Sequence, residues 1–341
     1  MFTDLLNPED DRETVVVLSG GGARGIWQWT VLMELAKRFK ISMVCGTSAG
    51  TLNAYAFSKG LFDYTSHLYA EVYSQNAVQI TKPGLAKLEN GRLRPDVDTI
   101  KKVLLKGINV FDLPKLLFKS GQKKVLDQLL QNFLGAPALM DNAPLFETVG
   151  KLQKLNPGFD IPCLINVVDM KTGQPLSVDV AEFAGDLEKE RRYVVASTTI
   201  PILWPLVLGH LGDGGMREGT PVNAIWTRLD PNKKYRIIAV MCSKETMQDS
   251  ADLSNPLKIG GQAFSIMMNE AVLNDLARLE DRNEEARKYG EAPGRRLVPL
   301  EKIIYSGYRD PLDFSHESYV EQIGDGFKDV GKFFNDFNKA A

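Results

Sequence analysis

Residues 15–29 read VVVLSGGGARGIWQW, an apolar run that leads into a glycine-rich turn. Short β-branched runs bounded by glycine predict buried strands. After the turn, apolar residues recur at helical spacing on one side of the segment from Arg24 to Phe39, namely Ile26, Val31, Leu32, Leu35 and Phe39. The stretch therefore predicts a strand, a tight turn and a helix in immediate succession.

The same order of elements follows directly in the chain. ISMVC at 41–45 predicts a second buried strand, GTSAG at 46–50 a turn, and TLNAYAFSKG at 51–60 a helix that ends at Gly60. Alternating strands and helices are typical of an α/β fold in which right-handed crossovers build a mainly parallel sheet. Further buried strands are predicted at 163–169, 235–242 and 302–306, and a long helix at 257–289.

The glycine turn has the spacing of a dinucleotide-binding loop, with Gly20, Gly22 and Gly25 in the pattern G-x-G-x-x-G. Such a loop also needs an acidic residue about 20 positions further on, which binds the ribose hydroxyl. No Asp or Glu stands between Glu34 and Asp63. The sequence therefore argues against a nucleotide site at this turn.

A second motif, G-x-S-x-G at residues 46–50, follows the second predicted strand. Between a strand and a helix this motif predicts a nucleophile elbow, because Gly46 and Gly50 permit a sharp turn that exposes the Ser48 hydroxyl. Ester hydrolysis then needs N–H donors that stabilise a tetrahedral oxyanion, and the glycine loop is their predicted source. Arg24 would brace that loop or add positive potential; a plain surface arginine is the alternative.

An activated serine needs a base, and the chain has three histidines, His67, His210 and His316. The usual chain order of an α/β hydrolase nominates His316. However, His316 follows Ser315 at a predicted helix start, with Ser315 as the N-cap. We therefore interpret the histidines as structural or solvent-facing side chains.

Asp213 is the better candidate for the base. It is followed by Gly214 and Gly215 and comes directly after the apolar run ILWPLVLGHL at 202–211 and Gly212. A carboxylate on a glycine turn at the end of a strand can reach Ser48 across the sheet. His210 would point to the opposite face of that extended strand. An ordinary Asp-Gly turn is the alternative for this motif.

In this order, GGGARG at 20–25, GTSAG at 46–50 and DGG at 213–215 resemble the motifs of the patatin-like phospholipases. The resemblance extends from about Thr14 to Cys242 and resumes near Lys302, whereas 82–124 and 244–300 match little. Weaker similarities are VVDMKTG at 167–173, ASTTIPILWP at 196–205, MDNAPL at 140–145 and the closing segment at 313–330. Thr199 and Trp204 depart from the family's pattern.

The resemblance implies a three-layer sandwich with a mainly parallel central sheet and helices on both faces. It implies a lipid acyl hydrolase of phospholipase A or lysophospholipase type, in which Ser48 attacks the acyl ester of a phospholipid or similar lipid and Asp213 is its base. The implied oxyanion loop comprises Gly20, Gly21, Gly22, Arg24 and Gly25, with N–H groups from Gly21 and Gly22. Gly46 and Gly50 would form the elbow, and Gly214 and Gly215 the turn after Asp213. No metal or cofactor would be needed.

Three other functions stay open at this point. One is a transacylase with the same dyad, and another is an esterase that uses Ser48, an acidic residue and His316. The third is a regulatory protein that binds a nucleotide or a lipid without turnover. The missing ribose-binding acid, and the joint presence of Ser48 and Asp213, favour an enzyme.

Composition limits the class of protein. The chain has 341 residues, 44% hydrophobic and 25% charged, which is ordinary for a soluble globular protein. A formal charge of −2 gives no indication of a nucleic-acid partner. We expect a single domain over 1–341 in the cytoplasm, because no secretion signal or membrane-spanning stretch is recognisable and Cys45, Cys163 and Cys242 fit a reducing compartment. Oligomeric state is not indicated.

Residues 82–124 differ from the rest, with 11 basic against 4 acidic residues. Within them FDLPKLLFKSGQKK at 111–124 interleaves Leu and Phe with Lys. We interpret 82–124 as a basic insertion or lid-like segment that contacts anionic lipid peripherally and covers the acyl groove. A solvated helical insertion is the alternative.

Overall fold

The computed structural model describes residues 11–106, 127–129, 131–132, 135–136, 138–183, 185–220, 222–244, 256–292 and 295–340. Within these ranges the strands β1 to β11 are, in chain order, Glu13–Leu18, Ile41–Gly46, Lys82–Pro83, Ala86–Glu89, Arg92–Pro95, Met140–Asp141, Cys163–Asp169, Gln174–Asp179, Leu211–Asp213, Tyr235–Met241 and Leu300–Ile304. The helices α1 to α9 are Gly25–Ala36, Ala49–Ser58, Phe62–Ser74, Val97–Leu104, Ala143–Leu155, Leu187–Ser197, Val222–Arg228, Pro256–Tyr289 and His316–Ala340.

The central sheet has the strand order β11-β10-β1-β2-β7-β8, with β9 also paired to β7. Strands β11, β10, β1, β2 and β7 run parallel, whereas β8 and β9 are antiparallel to β7. The predicted mainly parallel sheet is confirmed. Its two antiparallel strands, β8 and β9, both pair with β7.

The pairing of β7 places the two site motifs side by side. The first part of β7 pairs with β2, where Gly46 lies opposite Ile165. Its last part pairs with β9, where Asp213 lies opposite Val167. Since β8 occupies the other edge of β7, β9 continues where β2 ends. The turn that follows β2 therefore lies beside Asp213.

Helices cover both faces of the sheet. Alternate residues of β1 divide between the faces, since Val16 belongs to one core and Val15 to another. The core around Val16 includes residues of α1, α2 and α9, and the core around Val15 includes residues of α7 and α8. This arrangement confirms the three-layer sandwich.

Helix α1 differs from its predicted one-sided pattern. Residues Gly25 to Leu32 are all buried, because α1 lies between the sheet and α9. Its polar side chains are satisfied inside: Gln28 Nε2 donates to the carbonyls of Ser19 and Val240, at 3.0 and 3.1 Å. Helical spacing of apolar residues alone could not show this second buried side.

The strand that carries Asp213 is shorter than expected. Only Leu211–Asp213 pairs in the sheet, and His210 lies in the turn before it rather than in an extended strand. Pro205 in the preceding apolar run, and Pro201 directly before that run, have no N–H to donate, so this stretch cannot form a regular ladder.

The described part of the basic segment, 82–106, forms no strand of the central sheet. Strand β3 pairs with β6, and β4 pairs with β5, in two separate two-stranded sheets. The stretch 111–124, on which the predicted lipid contact depends, lies outside the described residues. Among the helices of the described chain, none is both long and apolar enough to cross a membrane.

Candidate active site

Ser48 occupies a strained turn between β2 and α2. Its backbone angles are φ 58° and ψ −128°, a region that residues with a side chain rarely adopt. The turn is held in place because the Ser48 N–H donates to the Ser197 carbonyl at 3.0 Å. The side chain consequently stands at the N-terminus of α2.

The two glycines of this turn are required by close backbone contacts. A Cβ at Gly46 would lie 2.2 Å from the Gly50 carbonyl oxygen. A Cβ at Gly50 would lie 2.3 Å from the Leu18 carbonyl oxygen. No side chain fits at either position without displacing backbone, so the elbow and the end of β1 can meet only through glycine.

Asp213 presents a fully buried carboxyl group to Ser48. Its Oδ1 accepts a hydrogen bond from the Gly215 N–H at 2.9 Å. Burial raises the pKa of Asp213 to about 7, against the opposing effect of hydrogen bonding from the Ser48 hydroxyl and the Gly215 N–H. Its Oδ2 has no hydrogen-bond partner of ordinary geometry among the described residues. The contact between Asp213 and Ser48 therefore falls short of ordinary hydrogen-bond geometry, as is common for a serine and a candidate base without substrate.

The turn after Asp213 is packed tightly. A Cβ at Gly214 would lie 2.5 Å from Asn166, and one at Gly215 would lie 2.3 Å from Cε of Met268. Met268 belongs to α8, which the family resemblance did not include. The turn is therefore enclosed by β7 on one side and by α8 on the other.

The glycine loop lies against Ser48. A Cβ at Gly20 would lie 3.2 Å from Cβ of Ser48. Gly22 has φ 55°, and a Cβ there would lie 2.2 Å from the Pro311 carbonyl oxygen. Within the described part of the chain, the N–H groups of Gly20, Gly21 and Gly22 have no hydrogen-bond acceptor. The loop beside Ser48 thus carries three backbone N–H donors that no described residue occupies.

Ala49 adds a donor that the sequence analysis did not include. Its N–H lies in the first turn of α2 and has no acceptor among the described residues. The N-terminus of a helix carries partial positive charge. In nucleophile elbows the amide after the nucleophile commonly contributes to the oxyanion site, which is the signal that could have identified it.

Arg24 points away from Ser48. Its Nε donates to the Arg309 carbonyl and its Nη1 to the Cys242 carbonyl, both at 2.8 Å. The guanidinium also lies 5.4 Å from the centre of the Tyr305 ring. Arg24 therefore ties the glycine loop to the chain after β10 and before α9. Of the three roles considered for Arg24, these contacts fit a residue that braces the glycine loop.

A buried polar network contacts both ends of the glycine loop. The Tyr69 hydroxyl donates to Asn53 Oδ1 at 2.6 Å, and Asn53 Nδ2 donates to the Gly25 carbonyl at 2.9 Å and to Gln28 Oε1 at 3.1 Å. Gln28 in turn reaches the Ser19 carbonyl. The network joins α1, α2 and α3 to both ends of the glycine loop. Its members lie far apart in sequence, so their spacing gave no signal.

The three histidines stand apart from this arrangement. His67 and His210 contact backbone carbonyls of Asp63 and Leu208, at 2.8 and 2.9 Å through Nδ1. His316 is exposed and stacks on Tyr319. None of the three lines the cavity described next.

An apolar cavity of about 110 Å³ adjoins Ser48. Gly22, Ser48 and Ala49 line one end, and Ala56 lies two turns, or about 10 Å, further along α2. The other lining residues are mostly apolar and include Leu68, Val72, Ile80, Leu145, Leu152, Ile200, Trp204 and Phe314. Its mostly apolar lining suits a hydrocarbon group.

Potential metal ligands and cysteines of the described residues form no second candidate active site. Within the described residues no group of three or more His, Cys, Asp or Glu side chains could hold a metal ion. Cys45, Cys163 and Cys242 are buried free thiols. Burial raises the pKa of both Cys163 and Cys242 to about 12, which keeps them protonated.

The chain belongs to the patatin-like phospholipase family, since the family model described as "Patatin-like phospholipase" matches residues 16–226. This membership makes the protein a lipid acyl hydrolase in the general sense. The matched range includes the glycine loop, Ser48 and Asp213. Among curated proteins no match is found.

Several solved structures are similar to the chain. VipD from Legionella pneumophila shares 14% identity, with a TM-score of 0.40 and coverage of 96% of this chain and 67% of VipD. The type III effector protein ExoU shares 15% identity, with a TM-score of 0.33 and coverage of 94% and 52%. ExoU bound to SpcU from Pseudomonas aeruginosa gives 15% identity, a TM-score of 0.28 and coverage of 79% and 53%. The chain spans about half the length of ExoU.

Proposed function

We propose that the protein cleaves fatty-acyl esters of lipids, as a phospholipase A or lysophospholipase, with Ser48 as nucleophile and Asp213 as general base. The observation that carries the proposal is a buried carboxyl, with its pKa raised to about 7, that faces a serine on a strained elbow. A base with a pKa near the working pH combines ionisation with proton affinity.

The chemistry follows from these positions. The Asp213 carboxylate takes the Ser48 proton while Oγ attacks the ester carbonyl, and a tetrahedral oxyanion forms. The N–H groups of Gly20, Gly21, Gly22 and Ala49 stabilise that oxyanion. Collapse expels the alcohol, which takes the proton from Asp213, and leaves an acyl-enzyme. Asp213 then deprotonates water, which attacks the acyl-enzyme carbonyl. Collapse of the second tetrahedral intermediate releases the fatty acid, and Ser48 Oγ takes the proton back from Asp213.

The cavity beside Ser48 is the proposed acyl pocket. It begins at the nucleophile and follows α2 towards Ala56, so one extended hydrocarbon chain would lie along the helix. Burial of each methylene stabilises the complex by about 0.8 kcal/mol. Most of the binding energy would thus come from the acyl chain, and this supports a lipid over a small soluble ester as substrate.

The basic segment is proposed to assist at the membrane. Eleven positive charges in 82–124 would attract anionic lipid to the protein. Charge reversal at Lys115, Lys119, Lys123 and Lys124 should weaken binding to anionic vesicles at low salt. Unchanged binding would remove the segment from this role.

Release of free fatty acid from phospholipid tests the enzymatic proposal. Wild type should release fatty acid, Ser48→Ala should not, and Asp213→Asn should be slower by about 10³-fold or more. His316→Ala is the matched control and should equal wild type, because His316 is exposed and outside the cavity lining. Loss of activity in His316→Ala would favour a histidine-based esterase. Transfer of the acyl group to another lipid without free fatty acid would favour a transacylase.

A further inference from the structure

Helix α8 changes composition half-way along its length. Residues 256–269 contain one charged residue, Lys258, whereas residues 270–289 contain ten. A helix in water normally carries charged residues along its exposed side. The second half of α8 meets this expectation, and the first half does not.

The first half nevertheless exposes apolar side chains on one face. Ile259, Ile266 and Met267 are 49%, 48% and 57% exposed, and Ala263 is exposed between them. Their spacing of four, seven and eight residues from Ile259 places all four on one side of the helix. The described chain thus has an apolar helical face, Ile259 to Met267, that it leaves open to solvent.

The opposite side of the same turn covers the candidate active site. A Cβ on Gly215 would lie 2.3 Å from Cε of Met268, and a Cβ on Gly20 would lie 3.8 Å from the same atom. The neighbouring Asn269 is buried and donates from Nδ2 to the Lys244 carbonyl at 3.0 Å. The exposed apolar face and the side chain that covers the candidate active site therefore belong to the same segment of α8.

The chain that Asn269 contacts has side chains suited to a headgroup layer. Asn269 donates to the Lys244 carbonyl, Nζ of Lys244 lies 3.8 Å from the centre of the Tyr308 ring, and Tyr308 is 72% exposed. Tyrosine and lysine combine an apolar body with a polar tip and favour the boundary between hydrocarbon and water. An exposed apolar helical face with such side chains linked to it is typical of elements that lie in a membrane interface.

We propose that the apolar face of α8 from Ile259 to Met267 docks onto the surface of a phospholipid bilayer. Docking brings the site beneath Met268 to the layer that holds the acyl esters. The choice of a lipid surface as occupant rests on the proposed function. Apolar insertion is insensitive to screening, whereas attraction through the basic segment 82–124 weakens with salt.

Vesicle sedimentation with the full chain tests this surface. The probe is neutral phosphatidylcholine vesicles at high salt, where the basic segment contributes little. The double variant Ile266→Asp with Met267→Asp should bind roughly tenfold or more weakly than wild type, because two charges replace two inserted apolar side chains. The matched control is Val320→Asp with Phe327→Asp, at similarly exposed apolar positions of α9, and should bind like wild type.

Two further measurements separate this proposal from the proposed function. Ser48→Ala should bind vesicles like wild type, so docking is measured even if the chain hydrolyses nothing. The double variant should keep wild-type hydrolysis of a short soluble ester and lose hydrolysis of vesicle lipid. Equal vesicle binding by wild type and the double variant would overturn the proposal. So would a wild-type dimer that the double variant dissociates without vesicles, because the face would then bind a second copy.

Discussion

Asp213 holds a carboxyl group in surroundings that favour its neutral form. The residue is fully buried, and its pKa is raised from 3.8 to about 7. The Gly215 N–H is its one strong hydrogen-bond donor within the described residues. At neutral pH the proposed base is therefore close to half ionised, and small changes of pH alter the fraction of active enzyme.

The rate should depend on pH with a rising limb. Only the ionised carboxyl can accept the Ser48 proton, so kcat/KM for a soluble ester should rise as pH increases and level off above about pH 8. The expected apparent pKa is about 7. A pH–rate profile of the wild type measures it. A profile that is flat between about pH 5 and 8 would contradict Asp213 as the base.

The same carboxyl should lower the stability of the folded chain. Folding raises the pKa of Asp213, so its unfavourable contribution is absent below about pH 4, grows as pH rises, and is complete above about pH 7. A shift from 3.8 to about 7 corresponds to about 4 kcal/mol at most. Asp213→Asn should therefore unfold at higher denaturant than wild type at pH 8, and this advantage should shrink at pH 5. Equal stability at both pH values would argue against the raised pKa.

Single residues of the site differed in how well the sequence revealed them. Ser48 and Asp213 stand in motifs that have a steric cause, since a Cβ at Gly46 or Gly50 would overlap backbone. The Ala49 amide could have been identified only from its position directly after Ser48 in the elbow motif. The side chain of Met268 has no such signal, because Met268 lies 55 residues beyond Asp213 in the chain.

Helix α2 links the nucleophile to the proposed acyl pocket. Ala56 lines the cavity on the same helix as Ser48, and its side chain is buried. The depth of the cavity below the nucleophile would set the acyl length that fits. A side chain larger than Ala56 would fill part of this cavity.

Ala56→Leu should shift the preferred substrate towards shorter acyl chains. The added methyl groups would fill part of the cavity, so kcat/KM for long-chain esters should fall by about tenfold while short-chain esters change little. A series of p-nitrophenyl esters of increasing length measures this. Leu152→Val, which enlarges the same cavity, should shift the preference in the opposite direction. An unchanged length profile in both variants would exclude this cavity as the acyl site.

At the level of elements the sequence predicted β1, β2, β7, β10 and β11 within a few residues, because buried parallel strands are continuous apolar runs. It also predicted α1, but it missed the second buried side of this helix, which faces α9. It was wrong for most of the apolar run before Asp213, where prolines prevent a strand. The two failures have different physical reasons. The partner that buries the second side of α1 lies far away in the chain, whereas the prolines before Asp213 act locally through their missing N–H groups.

Over the whole molecule, the site is assembled from segments that the sheet brings together. The glycine loop follows β1, Ser48 follows β2, Asp213 is the last residue of β9, and Pro311 contacts Gly22 from the segment before α9. The sequence predicted the order of the motifs and the three-layer fold. It did not predict the contribution of α8, because 244–300 resembles the family little.

Arg24→Lys should test how the distant segments hold the glycine loop. A lysine lacks the rigid planar fork through which Nε and Nη1 of Arg24 reach the Arg309 and Cys242 carbonyls separately. We expect a loss of about 1–3 kcal/mol in the free energy of unfolding and a fall in kcat with KM little changed. Arg38→Lys, at an exposed position where the guanidinium lies over Phe334, is the control. Unchanged stability and kcat would show that the loop needs no such brace.

Activation of Ser48 by Asp213 is tested most directly by covalent labelling of Ser48 with a lipid-like fluorophosphonate in the presence of liposomes, followed by intact mass. We expect one adduct on the wild type, none on Ser48→Ala, and much slower labelling of Asp213→Asn. An adduct on Ser48→Ala, or equal labelling rates of the wild type and Asp213→Asn, would contradict a nucleophile at Ser48 that Asp213 activates.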